Sequence, residues 1–245
     1  MVINPNALGL GLPPGTLRVQ PSYWYADEPA RPDTWSRLLP AREAAGLQPV
    51  LLTERQHLFV DQVADADDLD PVATLTDLWA YVQPEEEDDD AHLETAPFTR
   101  TWPGLAAPGE QDGDPDERAA LLALELAQDD KYFKGSRAAL VPARCSADIP
   151  AALGWSGACN HTDAVALSTV LRSWEDRFGI RVVGLGADVM SLSVAAPPRT
   201  MEHALAVAAE HHAFCPDNVW QGTESLAEYA AEAVLGQREW WFWWD

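Results

Sequence analysis

Glu239-Trp240-Trp241-Phe242-Trp243-Trp244-Asp245 is the stretch that decides how this chain must be built. Five aromatic residues in a row, left in water, would form an apolar patch of the kind that drives aggregation. The run must therefore be buried. As a strand it sends Trp240, Phe242 and Trp244 to one face and Trp241 and Trp243 to the other. A strand apolar on both faces belongs inside a sheet that is covered on both sides. One helix pattern upstream stands Phe214-Cys215-Pro216-Asp217-Asn218-Val219-Trp220-Gln221-Gly222, which reads as a turn feeding the last helix.

Working outward, Ala138-Ala139-Leu140-Val141 reads as a strand. Thr162 is the expected cap of a helix with Leu167, Val170, Leu171, Trp174 and Phe178 inward and Gly179 as its C-cap. Ile180 to Leu185 and Val189 to Val194 read as two strands joined by a tight turn. Thr200 caps a helix to about Ala213, and Thr223 caps another that Gly236 ends. The order is strand, helix, strand, strand, helix, helix, strand. With one extra helix, that is the pattern of a split βαβ (ferredoxin-like) unit. The expected class is α+β, with an antiparallel or mixed sheet and an acidic α/β N-terminal extension packed on it.

The N-terminal part is looser. It opens with a loop-rich Gly/Pro stretch. Asp33 can cap a helix to about Ala45, Pro49-Val50-Leu51-Leu52 reads as a buried strand, and Val72, Leu75, Trp79 and Val82 share a helical face. Asp114-Pro115 opens a further helix carrying Leu122 and Leu126. From Pro84 to Pro115 the chain is rich in Pro, Gly, Asp and Thr, so little regular structure is expected there. The expected division is an N-terminal unit at 1–83, an acidic linker at 84–114 and a C-terminal domain at 115–245.

Charge narrows the function classes. The chain of 245 residues carries a formal net charge of −23, with 47% hydrophobic residues. That is ample for a core and wrong for a protein whose partner is nucleic acid or an anionic membrane surface. It fits a basic protein partner. Asp61 to Glu94 holds thirteen acids and no Lys or Arg, peaking at Glu85-Glu86-Glu87-Asp88-Asp89-Asp90. Adjacent like charges repel, so a solvated loop is the plain reading and a docking strip for a basic partner the sharper one. No signal peptide or run of eighteen apolar residues is visible. With three cysteines, Cys145, Cys159 and Cys215, free thiols in a reducing cytoplasm are expected.

Several stretches together resemble a known family. They are Trp155-Ser156-Gly157, Cys159-Asn160-His161, the Trp174-Glu175-Asp176-Arg177-Phe178-Gly179 segment, Phe214 to Gly222 and the Phe242-Trp243-Trp244-Asp245 end. They resemble a bacterial, mainly actinobacterial, domain-of-unknown-function family over roughly residues 137–245. The resemblance implies a fold unit and a bacterial cytoplasmic origin, and it implies no activity.

The candidate chemistry gathers around the second helix of this region. At 100° per residue, Met201, Leu205, Ala208 and His212 share a face that Cys215 continues, while His203 and Glu210 fall on the solvent side. Three readings compete. His212 is a hydrogen-bonded core histidine and Cys215 a small buried hydrophobe. Alternatively, Cys159, His161, His212 and Cys215 bind zinc, as two short pairs far apart in sequence often do. Or Cys215 or Cys159 is a nucleophile, with His212 or His161 as base and Asp217 or Asn218 orienting it. Asp217 and Asn218 are also explained as turn residues. The expected function is an immunity- or antitoxin-like factor that binds a basic protein. The alternative is a metalloprotein or hydrolase centred on these Cys and His residues, with zinc its only expected cofactor.

Overall fold

The computed structural model describes residues 5–55, 57–64, 69–83, 95–223 and 225–245. Residues 65–68 and 84–94 of the acidic run, including 85–90, lie outside them, and with these about the first third of the expected linker.

Seven strands form one mixed sheet: β1 (Gly15–Val19), β2 (Ser22–Ala26), β3 (Leu47–Leu52), β4 (Arg137–Pro142), β5 (Arg181–Leu185), β6 (Val189–Ser193) and β7 (Glu239–Trp243). The spatial order is β1-β2-β4-β3-β5-β6-β7. Neighbours are antiparallel except β3 and β5, which run parallel at Leu51 and Leu52. On one face pack α1 (Thr34–Ala45) and α3 (Pro115–Leu126). On the other pack α2 (Pro71–Tyr81), α4 (Ile149–Leu153), α5 (Ala164–Phe178), α6 (Met201–Phe214) and α7 (Leu226–Tyr229). A sheet covered on both sides needs apolar residues at successive strand positions. β3 nearly supplies them: all of Leu47 to Leu52 is buried, with Gln48 the one polar residue.

The α+β class and the mixed sheet are as expected; the topology differs. A split βαβ unit seats its last strand beside its first, here β4. Instead β7 pairs with β6 at the margin, and β3 lies between β4 and β5. Strands from residues 1–83 and from the C-terminal part thus interleave in one sheet. The expected extension both joins the sheet, through β1 to β3, and covers it, with α1 on one face and α2 on the other. The expected N-terminal loop holds the β1–β2 hairpin, whose Trp24 is fully buried. Gly15 makes room for that ring, because a Cβ there would lie 2.1 Å from Trp24 Cζ2.

Caps largely follow sequence logic. Asp114 accepts from the N–H groups of Asp116 and Glu117, Thr200 from His203, and Gly179 takes the left-handed conformation after α5. Two caps shift by a residue or two: Asp163 rather than Thr162 opens α5, and Ser225 rather than Thr223 opens α7. Asp33 makes no side-chain cap bond.

The expected inward face of α6 is corrected. Residues Val207 to Phe214 are buried all round, while Met201 is exposed. Glu210, read from sequence as solvent-facing, is fully buried. Its Oε1 accepts from Ala106 N–H (2.7 Å) and Arg177 Nη1 (2.8 Å); its Oε2 accepts from Trp174 Nε1 (2.7 Å) and Arg177 Nη2 (2.6 Å). Arg177 Nη1 also donates to Ala106 C=O (2.9 Å). The pair therefore grips both backbone groups of Ala106, as a neighbouring strand would. His203 Nε2 donates to Ala107 C=O (2.7 Å), and Gly109 N–H donates to Arg177 C=O (3.0 Å). Residues 105–112, which form neither helix nor strand, become a strap fastened across α5 and α6.

A buried carboxylate stripped of its cation is left uncompensated, at a cost of about 3–5 kcal/mol. Arg177→Ala is expected to destabilise the fold by that order in urea unfolding and to speed amide exchange at Ala106. The Glu210→Met, Arg177→Met double variant should lose less than the two single variants summed. Additive losses would show that the pair is not coupled.

Candidate functional site

The two sequence features singled out above meet each other. In β7 the even-numbered residues bond to β6, as Trp244 N–H does to Asp188 C=O (3.0 Å). The peptide groups of the odd-numbered residues therefore face the open margin of the sheet. The turn after α6 satisfies four of them. Cys215 Sγ donates to Trp243 C=O (2.9 Å), and Asn218 Nδ2 donates to Trp241 C=O (2.6 Å). Asn218 Oδ1 accepts from Trp243 N–H (3.3 Å), and Asp217 Oδ2 accepts from Asp245 N–H (3.1 Å). Trp244 Nε1 reaches back toward Phe214 C=O (3.4 Å). The Phe-Cys-Pro-Asp-Asn turn thus seals the edge of the Trp-rich strand.

Behind the seal lies a buried polar relay. Asn218 Nδ2 also donates to the Tyr229 hydroxyl (3.1 Å). The phenol hydrogen is then left for His211 Nδ1 (3.1 Å), which places the imidazole proton on Nε2. That nitrogen has no hydrogen-bond partner among the described residues. The ring sits among aromatics, with centroids 4.4 Å from Trp240, 4.8 Å from Trp174 and 4.9 Å from Phe242. Burial, aided by the Arg177 charge, drives the His211 pKa well below its usual value. Burial raises the Tyr229 hydroxyl as well.

Among the described residues the structure brings neither the expected catalytic set nor the expected zinc set together. A nucleophilic cysteine needs its thiolate stabilised and reachable. Cys215 is fully buried, and its pKa is pushed well above the usual value by burial, with nearby Asp217 adding to the rise. Asp217 orients no base: its oxygens take Asp245 N–H and Gln221 Nε2. His212 is fully buried between Trp79 and Trp220. The sequence reading of His212 as buried was right, but among the described residues neither of its ring nitrogens has the expected hydrogen-bond partner. Its pKa falls to about 4, chiefly through burial and secondarily through nearby His161.

The proposed ligands Cys159, His161, His212 and Cys215 form no set. Cys159 is exposed, His161 Nε2 donates to Ala213 C=O (2.8 Å), and the Cys215 hydrogen is engaged. Among the described residues, no group of three or more His, Cys, Asp or Glu side chains is placed to hold a metal ion. The Trp-Glu-Asp-Arg-Phe-Gly segment is architectural too. Trp174 and Arg177 hold Glu210, Glu175 accepts from Ala147 N–H (2.9 Å), and Phe178 is core.

Sequence reasoning passed over two clefts. One of about 410 Å³ lies along the free margin of β7, lined by Asn218, Tyr229, Glu232, Glu239, Trp241 and Trp243 among others. A second, of about 430 Å³, lies at the carboxyl ends of β3 and β5. The signal for the first was the odd-numbered face of the Trp run, and for the second the isolation of both lysines at 131 and 134.

Residues 137–245 match the model of a family described as a domain of unknown function (DUF4253). Strands β4 to β7 and helices α4 to α7 fall inside the match; β1 to β3 and α1 to α3 fall outside it. No curated protein and no solved structure matches the chain. Among the described residues, no helix is long and apolar enough to cross a membrane.

Two outcomes follow from the seal and the buried imidazoles. Asn218→Ala strands two backbone groups of β7, and a lost buried partner costs about 1–3 kcal/mol each. The variant should be destabilised in thermal melts, with faster exchange at the Trp243 amide. Unchanged exchange there would refute the seal. His212 is neutral in the fold down to about pH 4, while the unfolded chain takes up the proton near the usual 6.5. The unfolded state thus binds more protons between those values, so stability is complete above about pH 6.5 and falls as pH drops toward 4. His212→Phe should flatten that slope in denaturant titrations at successive pH values. His211 keeps part of it.

Proposed function

We propose that this chain is a bacterial, cytoplasmic protein-binding factor that holds a basic partner, in the manner of an immunity or antitoxin protein. The observation that carries this reading is the cleft beside β7. Its lining includes two carboxylates, Glu232 and Glu239, two indole rings, Trp241 and Trp243, and, among the described residues, no Lys, Arg or His. Glu239 is partly buried and accepts from Ser191 Oγ (2.7 Å), and among the described residues no cation pairs with it. Burial, together with the nearby acids Glu125 and Asp129, holds its pKa above the usual carboxylate value. A guanidinium or ammonium group entering the cleft offsets that charge and lies against aromatic faces that attract cations. Cation binding also fits the wider charge pattern. Arg42, Arg177, Arg181, Arg199 and Arg238 are engaged in ion pairs within the fold, which leaves the excess acids to face solvent and steer a basic partner. Three free thiols support a reducing compartment.

Calorimetric titration with an arginine-rich peptide, and with its neutral citrulline counterpart, tests the reading. The arginine peptide should bind and the citrulline peptide should not. The Glu232→Gln, Glu239→Gln variant should weaken binding by about tenfold or more, the worth of one charge-assisted contact. Binding that ignores both carboxylates, or that the citrulline peptide shares, would count against it.

A further inference from the structure

We propose that the cleft at the carboxyl ends of β3 and β5 is a binding site for a small polyanion of the phosphate class. It is separate from the acidic cleft and does not rest on the protein-binding reading. The two strands are parallel and end together, with Thr53 N–H bonded to Leu185 C=O (3.2 Å). Beyond that point the chain leaves the sheet on both sides, through 53–55 and 186–188. Open α/β sheets hold ligands in the crevice outside the carboxyl ends of their parallel strands, and the one parallel pair of this mixed sheet opens a crevice at the same place.

The lining is what gives this crevice a sign. In a chain with 39 acids and 16 bases, both lysines, Lys131 and Lys134, lie here, and Arg55 joins them. None of the three forms an ion pair among the described residues, although acids are in excess and arginines such as Arg42, Arg177, Arg181 and Arg238 are paired. Lys131 Nζ instead stands 4.2 Å over the Tyr132 ring, itself a wall of the cleft. Of the acids in the lining, Glu54 is bound by Arg137 (3.2 Å), which leaves Asp188 as the opposing charge. Gly186 contributes bare backbone to the wall; a Cβ there would stand 2.5 Å from Val189 Cγ2. A guanidinium fork and two ammonium groups around one concavity match the several oxygens of a phosphate-class anion. Charges farther away than a Debye length of about 8 Å at physiological salt are largely screened, whereas these three groups act at contact.

Inorganic pyrophosphate is the probe, titrated calorimetrically at physiological ionic strength. Saturable one-site binding is expected. Lys131→Gln with Lys134→Gln should weaken it by about tenfold or more, and Arg55→Gln should weaken it further. Lys131→Arg with Lys134→Arg should keep it. Arg31→Gln, at a solvent-exposed pair with Glu28 (2.8 Å) outside the cleft lining, should leave it unchanged. The lysines and Arg55 are exposed, so the variants should melt as the parent does. No saturable heat at millimolar pyrophosphate would overturn the proposal. So would equal binding by the parent and the Lys131→Gln, Lys134→Gln, Arg55→Gln variant.

Discussion

The open margin of β7 is the constraint that orders the rest of this structure. A strand that buries Trp240 and Phe242 on one face and half-buries Trp241 and Trp243 on the other is too apolar to present an unpaired edge to water. Another strand would close it, and so does a substitute. The carboxamide of Asn218 donates and accepts as a peptide group does, so one side chain serves both Trp241 C=O and Trp243 N–H. Pro216 and the turn that follows place it, and Cys215 and Asp217 take the flanking groups. Two stretches that look like separate signatures in the sequence are the two sides of one closure.

The same closure governs chemistry. A thiol, an imidazole, a phenol and an amide gathered in one place invite a catalytic reading. Here the thiol, the phenol and the amide donate to acceptors inside the protein, and burial holds thiol and imidazole uncharged. A relay from His211 through Tyr229 to Asn218 stiffens the turn against the sheet. The opposite solution serves Glu210, which stays buried beside Arg177 and receives four hydrogen bonds. Satisfied networks of this kind fix one arrangement of the core rather than add much net stability. What Glu210 and Arg177 fix is the path of the strap at residues 105–112.

How much of this was legible depended on whether the deciding partner was near in sequence. β3 to β7 and helices α5 and α6 could be read because hydrophobic periodicity and caps such as Asp114, Thr200 and Gly179 are local signals. The position of β7 could not. A strand apolar on both faces implies helices on both sides, and these are present, but the same pattern suits an edge strand whose margin is sealed by side chains. Glu210 was misplaced because a carboxylate on a helix is assigned to solvent by default. Its partner Arg177 lies on another helix, and Ala106 lies 104 residues away. The β1–β2 hairpin lacked the Asn-Gly type of turn that marks hairpins, although Tyr23-Trp24-Tyr25 carried strand propensity. His212 was read correctly as buried. The matched family region could not have revealed the sheet alone, since β3, which separates β4 from β5, lies outside it.

Closing the margin also builds the acidic cleft, because Asn218 and Tyr229 line it while holding the edge. Its aromatic wall is continuous with the core on the other side: Trp241 packs against Tyr132 (4.9 Å) and Phe133 (5.8 Å), and Tyr132 in turn walls the basic cleft. Both clefts therefore stand on packed side chains, so the ordering of their walls is completed by folding. Their polar groups are separable from the scaffold. Glu232 lies outside the seal, and Glu239→Gln keeps an oxygen for Ser191. The charged ends of Lys131, Lys134 and Arg55 are not spent on ion pairs that hold the fold. Charge in this protein is thus divided three ways, with arginines binding acids inside the fold, carboxylates defining one cleft, and the two lysines with Arg55 defining the other.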